Sequence, residues 1–582
     1  MVTIVPNKFL LERVRTWYDR ELDPVIFDFF DYMLTMKMDP FDVESLDELL
    51  EVIIHLKNEL IRVHITNANL RAGRVTQTLD ASKFQFRQNE IALIIHTYFP
   101  LVRLKLTRDA KVSQLALFHY FGNYAGTYQF ETDLLDDIIY ILQPNVSVSN
   151  LKSYRQAIAA LAPHKTEDKQ RDLVVVGNGI YNRQTQTLEP FNPHYVTTTK
   201  IATNYDPDAR LVTIHNDEDG SDWNVDDWLK DLAGQICQNF DQDTYQLFWQ
   251  IIAATINPDQ VNAKAIFFFS SVGNNGKGTY GQLLKNLVGI DNYSSLPIPA
   301  FKHEFMKEKL LGKTLNIADE NPVDIYVDDI QDFKAMITGD DILINRKYDK
   351  PLAAQIKAIN IQMLNGLPKT RDKSDSFYRR LIIVPFIYSF TNNGEKAYIK
   401  KDYVHRPQVL EYILKKALEM PSFSDFVTPQ RSLDALEEYK ENNNSAVQFW
   451  NEFEPRFQWD FLPPNFLYDL YTAWLKEEYN GDHHAGFSKK AFLHHLENHL
   501  RQNPQWNFKA TRSTSPNPIS IGKMMDADEP LITEYNLDRF QDPNYKGQDP
   551  LLKRAFPCIS RGRGIVRVTP WSTLNRASFF YV

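Results

Sequence analysis

The sequence predicts a multidomain α/β protein in which a three-layer α/β core lies between a mainly helical N-terminal region and a C-terminal winged-helix-like domain. Three observations carry this. The 582 residues exceed what one hydrophobic core can serve, and 43% hydrophobic with 24% charged residues is an ordinary globular mixture. Between about 225 and 390, short apolar strands alternate with helical stretches, the pattern of a sheet covered on both faces. Beyond a polar stretch around Glu438 to Ser445, FLYDLYTAWLKEEY and FSKKAFLHHLENHL read as helix, short loop, helix. Basic strands near Arg561 to Val568 would then supply a wing.

Taken in order, residues 1–108 read as mainly helical, with Ser45 and Glu48 spaced as a capping box ahead of an apolar run from Leu49 to Ile61. Residues 109–220 form an α+β region. Two aromatic-rich stretches from Leu115 to Phe130 flank a turn at Gly122 to Gly126, Glu131 to Leu142 is helical, and DLVVVGNGIYN with TLEPF makes a strand pair. Residues 221–395 are the core, 396–445 a helical linker, and 446–582 the winged-helix-like part.

A net charge of −9, from 65 basic and 74 acidic residues, excludes a surface coated with positive charge for duplex DNA. It leaves room for local basic clusters that grip a single strand. Two cysteines, Cys237 and Cys558, are too few for a Cys-based zinc site and fit a reducing compartment. No run of about 18 apolar residues is present and the first residues lack a signal-peptide pattern, so a cytoplasmic location without membrane attachment is expected.

The chemistry is concentrated in AIFFFSSVGNNGKGTYGQLLKNLVG, residues 265–289. A buried strand, a tight loop of Gly273, Asn274, Asn275 and Gly276, then Lys277, Gly278 and Thr279, lead into a helix. This order turns backbone N–H groups and a helix N-terminus toward a phosphate, while Lys277 adds a positive charge. Against the pattern G-x-x-x-x-G-K-[ST], Ser271 stands at the first glycine and Gly278 at the magnesium-binding hydroxyl, a role that passes to Thr279. Further on, KTLNIADE ends an apolar strand with Asp319 and Glu320. Hydrolysis of ATP uses such a pair, one acid on Mg²⁺ and the other on the attacking water. AINIQMLNGLP ends a strand at Asn365, whose amide is within reach of the γ-phosphate or the water, although an asparagine there also makes an ordinary turn. Arg379 and Arg380 precede LIIVPF, and one of them is a candidate finger onto a neighbour's ATP.

In this order the motifs resemble the superfamily 3 (AAA+) helicases of the phage and plasmid helicase-primase group. NGKGT (Asn275 to Thr279), NGIYN…TLEPFNP…YDPDA, GDDILINRKY and YRRLIIVPF all look like its signatures, over roughly residues 110 to 500. The resemblance implies an ATP- and Mg²⁺-dependent helicase encoded by a mobile element and working in a bacterial host's cytosol. It further implies a hexameric ring moving 3′ to 5′ on single-stranded and forked DNA. A hairpin carried by INRKYDKPLAAQIKA would contact DNA through Arg346, Lys347, Tyr348 and Lys350. Lys347 matches the family's DNA-contacting lysine, and Tyr348 stands where viral relatives have histidine.

Other readings stay open. An origin-binding initiator would use ATP as an assembly switch, with origin DNA or a separate primase as partner. A primase-helicase would need a primase domain in the N-terminal region, where Asp28 and Asp31 sit in a helical FDFFDYM rather than a strand-borne D-x-D. A small-molecule phosphotransferase leaves the hairpin lysines without a role. His495 and His499 lack a third zinc ligand, and Asp340 and Asp341 read as the start of the hairpin.

Overall fold

The computed structural model describes residues 1–18, 32–33, 39–75, 84–106, 113–130, 133–168, 172–260, 264–319, 321, 326–327, 330–345, 351–370, 375–390, 396–459, 461–478, 486–509, 529–540 and 564–567. These fall into two compact units, one made of 1–323, 329–366 and 380–432, the other of 324–328, 367–379 and 433–582. Glu320, Arg346, Lys347, Tyr348, Lys350, Asp28, Asp31 and Cys558 lie outside the described residues.

The first unit contains two hydrophobic cores. One gathers residues from Ile4 to Val196 around the long helix Leu46–Ala72, whose apolar stripe of Leu49, Ile53, Leu56 and Leu60 is buried. Ser45 caps this helix by accepting the Glu48 N–H at 3.2 Å, while the Glu48 carboxylate accepts from the N–H of Glu44, one residue before the cap. The strand Leu101–Lys105 pairs with Gln114–Phe118 and with His164–Thr166. A boundary at 108 therefore cuts between two paired strands, and the helical and α+β regions are one body rather than two.

The second core runs from Val174 to Phe426 around a five-stranded, all-parallel sheet. Its strands are β1 (Ala265–Phe269), β2 (Tyr293–Ser294), β3 (Leu315–Ala318), β4 (Ile359–Leu364) and β5 (Leu381–Pro385), in the order β2-β3-β4-β1-β5. Ile266, Phe268, Ile317, Ile361, Met363, Ile382 and Val384 belong to this core. β4 is buried along its whole length, as expected when helices cover a parallel sheet. Buried amides also line the strands: Asn316 accepts the Leu296 N–H at 2.8 Å and donates to its carbonyl at 3.0 Å, and Gln362 donates to Asn360 at 2.7 Å. The helix after β1, Lys277–Val288, presses close because Gly281 has no side chain, since a Cβ there would stand 1.8 Å from the Met363 methyl. Its C-terminal end is closed by the extended segment before Tyr205: Ala202 N–H donates to Val288 at 2.9 Å and the Thr203 hydroxyl to Leu287 at 2.7 Å.

The stretch 396–445 holds helices Ala397–Lys401, Pro407–Glu419 and Gln430–Asn443, and its first part is packed rather than a connector. Ile399, Tyr403, Val404, Ile413, Leu414 and Phe426 belong to the second core. Its last part belongs to the second unit, where Asn443 donates to the Thr370 hydroxyl at 3.0 Å and to the Tyr378 hydroxyl at 2.9 Å, and the Tyr439 hydroxyl donates to Pro368 at 2.6 Å. These buried bonds tie residues 367–379 to the second unit, contrary to a core running unbroken to 395.

In the second unit, helix Ser445–Phe453, strand Phe461–Leu462, helices Pro464–Glu478 and Lys489–His499, and strands Trp506–Lys509 and Gly564–Arg567 follow in order. The last strand lies between the other two, antiparallel to both. Trp450, Trp459, Trp506 and Tyr471 fill the core. Arg567 was expected on a basic wing. It is buried, with its guanidinium 4.3 Å over Trp506 and donating to the Phe457 carbonyl at 2.8 Å.

Glu529 is also buried here, accepting from the N–H groups of Gln458 at 2.9 Å and Trp459 at 3.1 Å. Burial pushes its carboxyl up to about 7. A carboxyl raised in the folded state favours folding while protonated, so that contribution is lost as pH rises through the window from the usual carboxylate range to about 7. Glu529→Gln keeps an acceptor oxygen without the charge. Thermal unfolding of the full chain from pH 5 to 8 should show wild type losing stability against this variant, by on the order of 3 kcal/mol at most. A constant gap across that range would contradict the assignment.

Candidate functional site

All three of β1, β3 and β4 deliver a polar residue or loop at their C-terminal ends, where open α/β sheets bind ligands. β1 runs into Ser270–Gly276. The Ser270 hydroxyl ties this loop to β5 by donating to the Phe386 carbonyl at 2.8 Å, and the Phe390 N–H donates to Asn274 at 2.8 Å. The buried Asn275 accepts the Lys277 N–H at 3.0 Å, which turns the chain into the helix. Two residues adopt left-handed backbone, Asn274 with φ 52° and Gly276 with φ 81°. At Gly276 no side chain fits, because a Cβ would lie 2.4 Å from Leu232. Gly273 differs: no atom lies within 4 Å of a Cβ there, so its glycine leaves the space over the loop open.

Lys277 opens the helix and reaches β4, where its ammonium donates to the Leu364 carbonyl at 2.9 Å and to the Asn365 side-chain oxygen at 2.8 Å. Burial pushes its pKa down, and the nearby Asp319 partly opposes this. Thus Lys277 and Asn365, 88 residues apart, touch. Asp319 follows β3, with its carboxylate on Lys285 at 2.5 Å. Lys285 escaped the sequence reading, yet its signal was there: Lys277, Gly281 and Lys285 are spaced i, i+4, i+8 and share the helix face turned to β3 and β4.

Beside the loop opens a cavity of about 490 Å³, lined by Asn274, Gly276 and Thr279, by Trp223, Trp228 and Ile399, and by Lys396, Lys400 and Lys401. The aromatic and lysine residues were not anticipated, because they come from segments about 50 residues before and 120 after the loop. Gly278, the second residue of the helix beside this cavity, is exposed. Arg380 precedes β5, and its carbonyl accepts the Ala265 N–H at 2.8 Å. It therefore stands at the N-terminal end of the sheet, about 16 Å from the loop at roughly 3.3 Å per strand residue. Arg379 falls in the second unit and is exposed. Asp341 opens an antiparallel hairpin, Asp341–Ile344 with Leu352–Gln355, and Arg346, Lys347, Tyr348 and Lys350 lie outside the described residues. His495 stacks on Phe487 at 4.2 Å. Among the described residues, no group of three or more His, Cys, Asp or Glu is arranged to hold a metal ion, and no helix is long and apolar enough to cross a membrane.

A glycine-rich loop, a lysine and an acid thus meet at the C-terminal edge of a parallel sheet, the edge at which open α/β sheets bind ligands. The chain matches three family models in order: D5 N terminal like over residues 79–247, a family of unknown function (DUF5906) over 268–380, and poxvirus D5 protein-like over 441–528. Two of these models are D5-like, so the chain is similar to D5-like proteins over residues 79–247 and 441–528. Among solved structures it is similar to the C-terminal region of NrS-1, at 11% identity and a TM-score of 0.36, covering 81% of this chain and 96% of that one. A second similarity is to JCV helicase bound to a small molecule, at 11% identity and a TM-score of 0.23, covering 38% and 60%.

Proposed function

We propose that this chain is an ATP-driven DNA helicase that works as a hexameric ring in which neighbours complete one another's sites.

 The observation that carries this reading is the separation of Lys277 from Arg380. The loop that would hold a nucleotide lies at one end of the sheet and the arginine at the other, so an arginine finger from this chain serves a neighbour's nucleotide and not its own. The strand order β2-β3-β4-β1-β5 supports the AAA+ reading. The order of helices and strands in the second unit, with its last strand central, supports a winged helix.

In this site ATP would lie over the loop, its phosphates on the backbone N–H groups of residues 273–277 and on Lys277. The present partners of the lysine, a carbonyl and an amide oxygen, are neutral, and a phosphate oxygen is the stronger acceptor. Asn365 is then left at the γ-phosphate or the attacking water, with Glu320 as the base. Thr279 and Asp319 are the residues that would hold Mg²⁺. One hydroxyl and one carboxylate, the latter about half exposed, suit a cation that keeps water and phosphate as its remaining ligands. When bound, that ion neutralises charge on the phosphates. Hydrolysis around the ring would move the hairpins, with Arg346, Lys347, Tyr348 and Lys350, along single-stranded DNA in the 3′ to 5′ direction.

Unwinding of a forked substrate lacking any origin, with ATP and Mg²⁺, tests the proposal against an origin-bound initiator. Wild type should separate the strands. Lys347→Ala should lose unwinding and weaken single-strand binding while ATPase without DNA persists, because a lysine on a phosphate acts far from the nucleotide. A Lys347→Ala protein that unwinds at the wild-type rate would refute the hairpin role.

A further inference from the structure

The helix Ala397–Lys401 brings an unassigned cation to the loop. A methyl group on Gly278 would stand 3.4 Å from the Lys400 ammonium, so a longer side chain at 278 would have to share that space. Lys400 is exposed and lines the same cavity as Asn274, Gly276 and Thr279. Among the described residues, no hydrogen bond or ion pair engages its ammonium. Of the three acids of the cavity wall, Asp227 is engaged by Lys230 at 2.8 Å and Asp222 by His215 at 2.7 Å, and burial pushes the Asp231 carboxyl up, which Lys396 and Lys230 oppose.

The backbone that carries Lys400 is fixed on both sides. Ile399 is buried, the Tyr398 hydroxyl donates to Asp219 at 2.8 Å, and the Lys396 ammonium donates to the Ser221 hydroxyl at 2.9 Å. A His405 ring nitrogen lies 3.1 Å from the Lys400 carbonyl, and Asn286 of the loop's own helix donates to Val404 at 2.8 Å. A flexible four-carbon stem on a fixed base puts a point charge against the first turn of that helix without demanding one geometry.

We propose that Lys400 is a second phosphate-binding residue of the nucleotide site, reaching the phosphates from the side that Gly278 leaves open. The proposal rests on the reading of the Lys277 loop as an ATP site. Lys277 arrives from the helix after β1 and Lys400 from the helix beyond β5, so the two charges flank the anion. Glycine in place of a hydroxyl at 278 then has a physical reason: the missing side chain makes room for a charge.

The test is calorimetric titration of the full chain with ATP, ADP and adenosine in Mg²⁺, comparing wild type, Lys400→Met and Lys400→Arg. Methionine keeps the apolar stem and arginine keeps the charge. Lys400→Met should bind ATP and ADP about tenfold more weakly, adenosine should be unaffected, and Lys400→Arg should recover most of the loss. Wild type that binds no ATP would overturn the nucleotide-site reading itself. Wild type that binds ATP, with Lys400→Met binding all three ligands as tightly, would overturn only the role of Lys400. An equal loss for ATP and adenosine would make the residue structural and would also overturn it.

Discussion

Lys277→Ala is expected to lower ATP turnover by at least about a hundredfold, the scale on which preorganised charge at a reacting group acts. The ammonium of this lysine bridges the loop helix and the Leu364–Asn365 end of β4. Its loss removes a charge from the phosphates and also leaves the Asn365 side chain without its partner, so binding and turnover should fall together. Glu320→Gln should differ, retaining ATP while losing turnover, because an amide cannot deprotonate water. Steady-state ATPase assays with parallel nucleotide binding separate the two. Normal turnover by Glu320→Gln would remove the catalytic acid from the scheme.

Mixing Arg380→Ala protein into wild type should depress ATPase activity well below what dilution allows. An arginine finger contributes about 10³ to 10⁵ in rate where it operates. Here the residue precedes β5 at the end of the sheet opposite the loop, about 16 Å away along the strand, so its own nucleotide would be out of reach. Each mutant subunit would therefore disable a wild-type neighbour. Activity that falls only in proportion to the mutant fraction would mean that Arg380 acts within its own subunit or is structural. Arg379→Ala in the same assay asks which of the two adjacent arginines serves.

Much of the candidate site is local and was therefore legible. A tight glycine and asparagine loop between an apolar strand and a helix is written in consecutive residues, and so is an acid or an asparagine closing an apolar strand. The structure puts Lys277 against Asn365. It also assigns different work to the two loop glycines: Gly276 meets a backbone and packing demand, whereas Gly273 leaves open space. The pair Lys285 and Asp319 was legible only in half, because helical spacing gives the face of the lysine but not the strand it meets.

The sequence by itself determined the local elements: the glycine and asparagine loop between strand and helix, the alternation of strand and helix, the cap at Ser45 and the helix pair Pro464–Glu478 and Lys489–His499. Periodicity and turn chemistry act over a few residues, so they are written where they act. Tertiary structure alone decided which distant segments share a body. Strand pairing of Leu101–Lys105 with Gln114–Phe118 removed a boundary at 108, and the Asn443 bonds to Thr370 and Tyr378 moved residues 367–379 into the second unit. It alone brought Trp223, Trp228 and Lys400 to the cavity beside the loop. The physical reason is the same throughout: hydrogen-bond satisfaction and burial pair groups through space, and no local pattern records which far segment supplies the partner.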